Sequence, residues 1–299
     1  MGLKRAPLRA VVVVLPLFIG GIVQADPPTT VDRQAQVKAA REAASAAMRR
    51  GPQTVPLADQ AQFALPQGYG FVPRKQAAVL MDLWGNRTDD HFIGLVFPSG
   101  GADWFALLEY EPSGYIRDDE ARDWDADKLL DNLKKGTEQA NKHRQEIGVP
   151  AIEVTRWIEK PIYDGVAHRL VWSAESREIG APADADAGVN YNTYVLGREG
   201  YISMDVVTSA SKIEQYKGDA KALLADICFS SDKGYGDFKA STDKVAAYGI
   251  AALVGGLAAK KLGLLALVGL SFAKFAKVIA VAVAGVSTAA AKIFKRRKV

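Results

Sequence analysis

The chain has 299 residues, with 38 basic and 34 acidic side chains, three histidines and one cysteine. Apolar residues make up 48%, enough for a substantial core, so a wholly disordered chain is excluded. A single cysteine excludes an internal disulfide and any zinc site built from cysteines.

The formal charge of +4 is unevenly placed. Residues 1–25 hold Lys4, Arg5 and Arg9 and no acid, and residues 244–299 hold ten basic residues and no acid. The middle segment, 26–243, therefore carries all 34 acids against 25 basic residues, a net charge of −9. A basic chain usually suggests a nucleic-acid partner. Here the positive charge flanks apolar stretches and the acidic body repels phosphate, so no nucleic-acid binding is expected.

The first 25 residues read as a secretory signal peptide. Three basic residues precede an apolar run from Ala10 to Val23, and Val23-Gln24-Ala25 offers small residues for cleavage before Asp26. Fourteen apolar residues are too few for a comfortable bilayer span. Thr30–Arg50 reads as an alanine-rich helix with a thin apolar face, ended by Gly51-Pro52. Residues 26–59 are thus expected to be a helix and linker.

From residue 60 the pattern changes. Pro66-Gln67-Gly68-Tyr69-Gly70 is a turn, and Arg74–Leu83 a short helix stopped by Gly85-Asn86. Phe92–Phe97 and Trp104–Tyr110 read as a hairpin, and Asp125–Ile147 as the main helix. Ile152–Ile158 and Val166–Glu175 alternate as strands, with Pro161 and Asp164-Gly165 between them. A second hairpin, Tyr191–Leu196 with Tyr201–Val207, precedes a helix over Ser211–Asp226. The expected class is α+β, an antiparallel sheet with packed helices, spanning 60–243.

Val245–Ala291 contains no acid. Lys260, Lys261, Lys274 and Lys277 divide it into apolar runs of 15, 12 and 14 residues. Each is short of the ~20 residues of a spanning helix, but lysine stems snorkel. Residues 244–299 are therefore expected to be a membrane anchor of one or two helices, with lipids as its partner. A single crossing by Val245–Ala259 leaves most basic residues inside and the preceding domain outside. Asp243-Lys244 would mark the junction.

Few residues suggest chemistry. His168 would share a strand face with Val166, Leu170 and Trp172. It is the candidate acid or base, near Tyr163, Asp164 and Tyr191, or else a core histidine bonded to a backbone carbonyl. The acidic run Asp118–Asp127 lacks a calcium-loop glycine and terminal glutamate, and fits the start of the following helix better. No cofactor and no metal is expected, since there is no P-loop, no G-x-S-x-G and no G-x-G-x-x-G. Cys228, between Ile227 and Phe229, is expected to be buried and inert.

Several segments carry a resemblance. They include Leu65-Pro66-Gln67-Gly68-Tyr69, Leu83-Trp84-Gly85-Asn86, and Glu109-Tyr110-Glu111-Pro112-Ser113-Gly114-Tyr115-Ile116. Trp157 with Pro161-Ile162-Tyr163-Asp164, Asn190-Tyr191-Asn192 and Val195-Leu196-Gly197-Arg198-Glu199-Gly200 follow. The longest is Ser241-Thr242-Asp243-Lys244-Val245-Ala246-Ala247-Tyr248-Gly249-Ile250-Ala251. Over about 60–299 the chain resembles the bacterial domain-of-unknown-function family numbered 2167, described as uncharacterised membrane-anchored proteins. The resemblance implies an envelope protein with a C-terminal anchor and no assigned activity.

The expectation is an inner-membrane protein with its main domain on the periplasmic side. It would serve as a binding or scaffold module for an envelope protein or a second copy. The alternative is a periplasm-facing hydrolase using His168.

Overall fold

The computed structural model describes residues 30–146, 150–182 and 184–255. The expected signal peptide at 1–25, and residues 256–299 of the expected anchor, lie outside the described residues. Helix α1 (Thr30–Ala47) leads into β1 (Arg49–Arg50), β2 (Gln53–Leu57), β3 (Ala61–Leu65), β4 (Tyr69–Pro73) and helix α2 (Arg74–Leu83). Next come β5 (Phe92–Pro98), β6 (Phe105–Glu111) and the long helix α3 (Ala126–Glu146). The chain continues through β7 (Ile152–Asp164), β8 (Arg169–Glu178), β9 (Gly188–Leu196) and β10 (Tyr201–Ser209). Helix α4 (Ile213–Ala225), β11 (Ile227–Phe229) and a single turn, α5 (Ala252–Gly255), complete it.

Eight strands pair in the order β1-β4-β5-β6-β10-β9-β8-β7, and β11-β3-β2 form a second sheet. Every named strand pair is antiparallel. The mixed class with helices on a large antiparallel sheet is thus the observed one.

Period-two alternation lets the large sheet bury both faces. In β10, Ile202, Met204 and Val206 join a core closed by the small sheet and α4, through Val55, Phe63, Leu65, Tyr216 and Leu223. Tyr201 and Val207 of the same strand enter two other clusters on the opposite face. One lies under α1 and α2, where the alanine spacing of α1 places Ala40 and Ala44 against the sheet. The other lies under α3 and the chain end, around Leu133, Leu170, Trp172, Ile250 and Leu253.

The expected domain limits shift at both ends. Residues 53–57, expected to be linker, pair with 61–65 as a hairpin, so a boundary at 59/60 would cut its turn. The period-two apolar pattern of Val55 and Leu57 against Phe63 and Leu65 was hidden by Pro56, which β2 accommodates as the second sheet's edge strand. At the other end, the strap 239–254 does not leave the domain at Asp243. Tyr115 donates its N–H to the Lys244 carbonyl (2.8 Å), Ala246 donates to Tyr115 (2.8 Å), and Ile250 donates to Arg117 (3.0 Å). Ile250, Leu253 and Val254 are fully buried. Ten of the fifteen residues expected in the first crossing, 245–254, therefore belong to the domain. No helix among the described residues is long and apolar enough to cross a membrane.

Two local expectations also change. The strand expected from Val166 begins at Arg169, and His168 stands in the turn before it with φ +51°. The cause is Asp164, whose Oδ1 accepts from the N–H groups of Val166 (2.9 Å) and Ala167 (3.0 Å) and folds the chain back. Val166 is consequently 93% exposed rather than on the sheet face. Cys228 is exposed, not buried, because β11 turns Ile227 inward and its neighbour outward. The acidic run behaves as the macrodipole argument requires at Asp125, whose Oδ1 accepts from the N–H groups of Asp127 (3.0 Å) and Lys128 (3.2 Å).

Candidate functional site

His168 meets one expected neighbour, Tyr163, and one that was not expected, Asp118. The Tyr163 hydroxyl, at the end of β7, donates to Oδ2 of Asp118 at 2.7 Å and lies 3.2 Å from His168 Nδ1. Asp118 Oδ2 is itself 3.8 Å from that nitrogen. Tyr163 has one proton to give. Giving it to Asp118 leaves its oxygen an acceptor, so the tautomer of His168 protonated at Nδ1 completes a chain from histidine through phenol to carboxylate. Burial, then the bond to Asp118, raises the Tyr163 pKa and keeps the phenol protonated.

The imidazole also ends a stack of four rings. Phe238 lies on Tyr115 with centroids 3.9 Å apart, Tyr115 on Tyr235 at 4.4 Å, and Tyr235 on His168 at 4.2 Å. The Tyr235 hydroxyl donates to the Ile116 carbonyl at 2.7 Å. The stack joins the loop after β6, the β7–β8 turn and the segment 235–238 that leads into the strap. His168 and Asp118 are each about one-third open to solvent, at 30% and 27% of the side chain. The arrangement can hold an imidazole in one tautomer, with its Nε2 lone pair available and a carboxylate behind it. That is the posture of a general base or of a hydrogen-bond acceptor for a ligand.

The other two candidates take no part in this hydrogen-bonded chain. The Asp164 carboxylate is held by its own turn, and the Ala167 and Val166 N–H groups hold its pKa below the ordinary carboxylate value. Tyr191 is fully buried in the core on the small-sheet side and donates to Glu159 Oε2 at 2.8 Å. Lys221 donates to the other oxygen of Glu159 at 2.6 Å. The structure therefore brings His168 together with Tyr163 and Asp118, and does not bring it to Tyr191. Asp118 was hidden within a run of six acids, and nothing in spacing alone separates it from Asp125, which caps α3. Among the described residues there is no group of three or more His, Cys, Asp or Glu side chains able to hold a metal ion.

Replacing Tyr163 by Phe removes a hydrogen bond to a charged acceptor. A loss of about 1.5–3 kcal/mol is expected, read as a shift of the urea midpoint at neutral pH.

Next to this cluster the strap is clamped by a two-pronged ion pair. Arg198 Nε and Nη2, in the β9–β10 turn, donate to Asp243 Oδ2 and Oδ1 at 2.6 and 2.7 Å. The Lys239 N–H and the Thr242 hydroxyl add to the same carboxylate. The Arg198 side chain, first of these causes, holds the Asp243 pKa far below the ordinary carboxylate range. A depressed carboxylate pKa contributes stability that is present above about pH 4 and lost as the pH falls below it. Asp243→Asn is expected to lower stability at pH 7 and to flatten its decline between about pH 4 and pH 2, measured as urea midpoints across that range.

The family model described as "Protein of unknown function (DUF2167)" matches residues 49–285. The chain belongs to that family. None of the curated proteins matches it. Among solved structures it is similar to cyanobacterial PsbP (CyanoP) from Synechocystis sp. PCC 6803, at 12% identity and a TM-score of 0.36. That match covers 62% of this chain and 94% of the other. It is also similar to a point mutant of the protein Mog1, at 12% identity and a TM-score of 0.30, covering 58% of this chain and 87% of the other. The DUF2167 match takes in β1, the site and the strap, and runs on past Gly255 into the acid-free stretch.

Proposed function

We propose that this DUF2167 protein is a membrane-anchored bacterial envelope protein whose domain is exported and serves as a binding or scaffold module. The observation that carries the reading is the run from Val245 to Ala291 without a single acid, closed by Lys292, Lys295, Arg296, Arg297 and Lys298. Residues 245–254 are packed in the domain, so the reading moves the crossing beyond Gly255, to a single pass by Leu262–Ala273 or Val278–Ala291 that leaves the basic tail inside. Basic residues flank both runs and can snorkel to the interfaces. The N-terminal basic residues and the apolar run Ala10–Val23 supply the export signal. Fusing two reporters separately after Gly255 tests it, one active only outside the cytoplasmic membrane and one only inside. Activity of the first alone is expected, and activity of the second alone would sink the reading.

A second reading, a hydrolase using His168, is favoured by one observation: the hydrogen-bonded chain from His168 through Tyr163 to Asp118. In it His168 Nε2 takes a proton from water. Hydrolysis of an ester, amide or glycoside by the full-length protein, abolished in His168→Gln at unchanged thermal midpoint, is the expected result. An inactive wild type across such a panel removes this reading.

A further inference from the structure

The helices on one face of the large sheet stand over its two ends. Helices α1 and α2 lie on β4 and β5, and α3 lies on β7. From β5 to β7 the sheet runs through β6, β10, β9 and β8, five spacings or about 24 Å at ~4.8 Å each. A helix with its side chains is about 10–12 Å across. The interval between α2 and α3 is therefore wide enough for one more.

What this interval presents is polar. Period two puts Tyr201, Ser203, Asp205 and Val207 of β10 on this face. Tyr201 belongs to the cluster under α3 and Val207 to the cluster under α1 and α2, so Ser203 and Asp205 fall between the two. Glu109 of β6 is directly opposite Ser203, and Asn192 of β9 directly opposite Asp205. Ser203, Asp205 and Asn192 are each at most 3% exposed, and the Ser203 hydroxyl has no hydrogen-bond partner among the described residues. Burial raises the Tyr201 pKa, and Tyr248, Glu111, Asp205 and Glu109 add to it, so three carboxylates act on this one spot. A carboxylate is tolerated in such a place beside a cation. The strands β6, β9 and β10 contain no lysine or arginine.

The chain itself heads into the interval. The turn α5 lies beside α3, and its Leu253 and Val254 are buried in the cluster of Leu170 and Trp172. The sequence from Gly256 to Val268 (GLAAKKLGLLALV) has no acid and consists mostly of strong helix formers. Carrying the turn of α5 onward at 3.6 residues per turn puts Leu257, Lys261, Leu264 and Val268 on the face of Leu253 and Val254. Ala259 falls on the opposite face. Lys261 follows Val254 by seven residues and Leu257 by four, which sets it near the middle of the inward face, with Lys260 at the margin. Seven residues of helix are about 11 Å. Two strand spacings, about 10 Å, separate Trp172 on β8 from Asp205 on β10.

We infer that residues 256–268 dock as a helix on the middle strands, between α2 and α3, with the Lys261 ammonium set against Glu109 and Asp205. The acid-free run then divides in two: its first part closes the domain, and Val278–Ala291 is left as the pass. Only that choice of pass rests on the membrane reading, because the docking surface belongs to the folded domain. In a chain ending at Gly255 the carboxylates regain water, so that cut opens the face without leaving a charge buried beside a missing partner.

The test uses the full-length chain in non-ionic detergent micelles. A benzophenone-bearing amino acid replaces Leu257, Leu264 or Ala259 in turn. Illumination is expected to link positions 257 and 264 to β6, β9 or β10 of the same chain, mapped by mass spectrometry, and to give no such link from 259. Charge reversal reads the lysine. Lys261→Glu adds a fourth carboxylate to the three, and should lower the thermal midpoint by about 6 °C or more. Adding Glu109→Lys to it should recover at least half of the loss. Lys274→Glu, beyond the docked segment, should leave the midpoint within about 2 °C. Where a charge variant does not fold, the cross-links decide. Links from 257 and 264 to a second copy, seen as a covalent dimer, would make the occupant another molecule and overturn the inference. Links to detergent alone would overturn it too, as would a Lys261→Glu variant with an unchanged midpoint. None of these readouts depends on the side of a membrane, so the reporter fusions after Gly255 can fail while the docking stands, and the reverse.

Discussion

A chain cut after Gly255 is expected to stay folded, and a chain cut after Asp243 to unfold. The two differ by twelve residues, and the sequence alone would place the safer cut at 243. The structure reverses that choice. Ile250, Leu253 and Val254 are fully buried against Leu133, Leu170 and Trp172 under α3. Burying each such side chain is worth about 1.5–3 kcal/mol, so losing the three removes about 5–9 kcal/mol. Domains of this kind are held by about 5–15 kcal/mol in all. The shorter chain also loses the two hydrogen bonds between Tyr115 and the segment 244–246. Far-UV circular dichroism and urea unfolding of both truncations, made without residues 1–25, would show a cooperative transition only for the longer one. Equal midpoints would mean that the strap is an accessory.

Gly114→Ala is expected to be strongly destabilising and to act on the strap. Gly114 has φ +93°, where a side chain is strained. Its new Cβ would also stand 2.6 Å from the Lys244 carbonyl oxygen and 3.2 Å from the Ala246 nitrogen. Both are backbone atoms of the strap, and neither can swing aside. Gly68 provides the control, with φ +92° and nothing within 4 Å of an added Cβ. Gly68→Ala should cost about 1 kcal/mol, the backbone term alone. Gly114→Ala should cost a further 1–3 kcal/mol or so for overpacking, and hydrogen exchange should accelerate over residues 244–250. Equal costs for the two variants would show that the strap yields freely.

Much of the fold was legible because its elements announce themselves locally. Arg74–Leu83 is found at its expected limits, and both hairpins match within three residues at each end, since alternation and turn glycines are short-range signals. The strap was not legible. Val245–Val254 is apolar and acid-free, and a buried chain end looks like the start of a membrane helix when only hydropathy is read. What separates them is the set of partners, Tyr115 and Arg117, more than 120 residues earlier in the chain. The site was half legible. His168 was found as a residue, but its setting was misread, because the capping reach of Asp164 converts the head of a strand into a turn. Tyr163 lay within reach on paper. Asp118 did not, since its pairing with Tyr163 spans 45 residues.

The strap has a mechanical consequence. Its last buried side chain is Val254, one residue before Gly255, so a pull at Gly255 acts on the interior directly. Traction applied there is delivered first to Leu253 and Ile250, next to the Tyr115–Val245 bridge, and then to the Arg198 clamp on Asp243. A pull at this end of the domain would be felt at the ring stack that holds His168 before it reached the far side of the sheet.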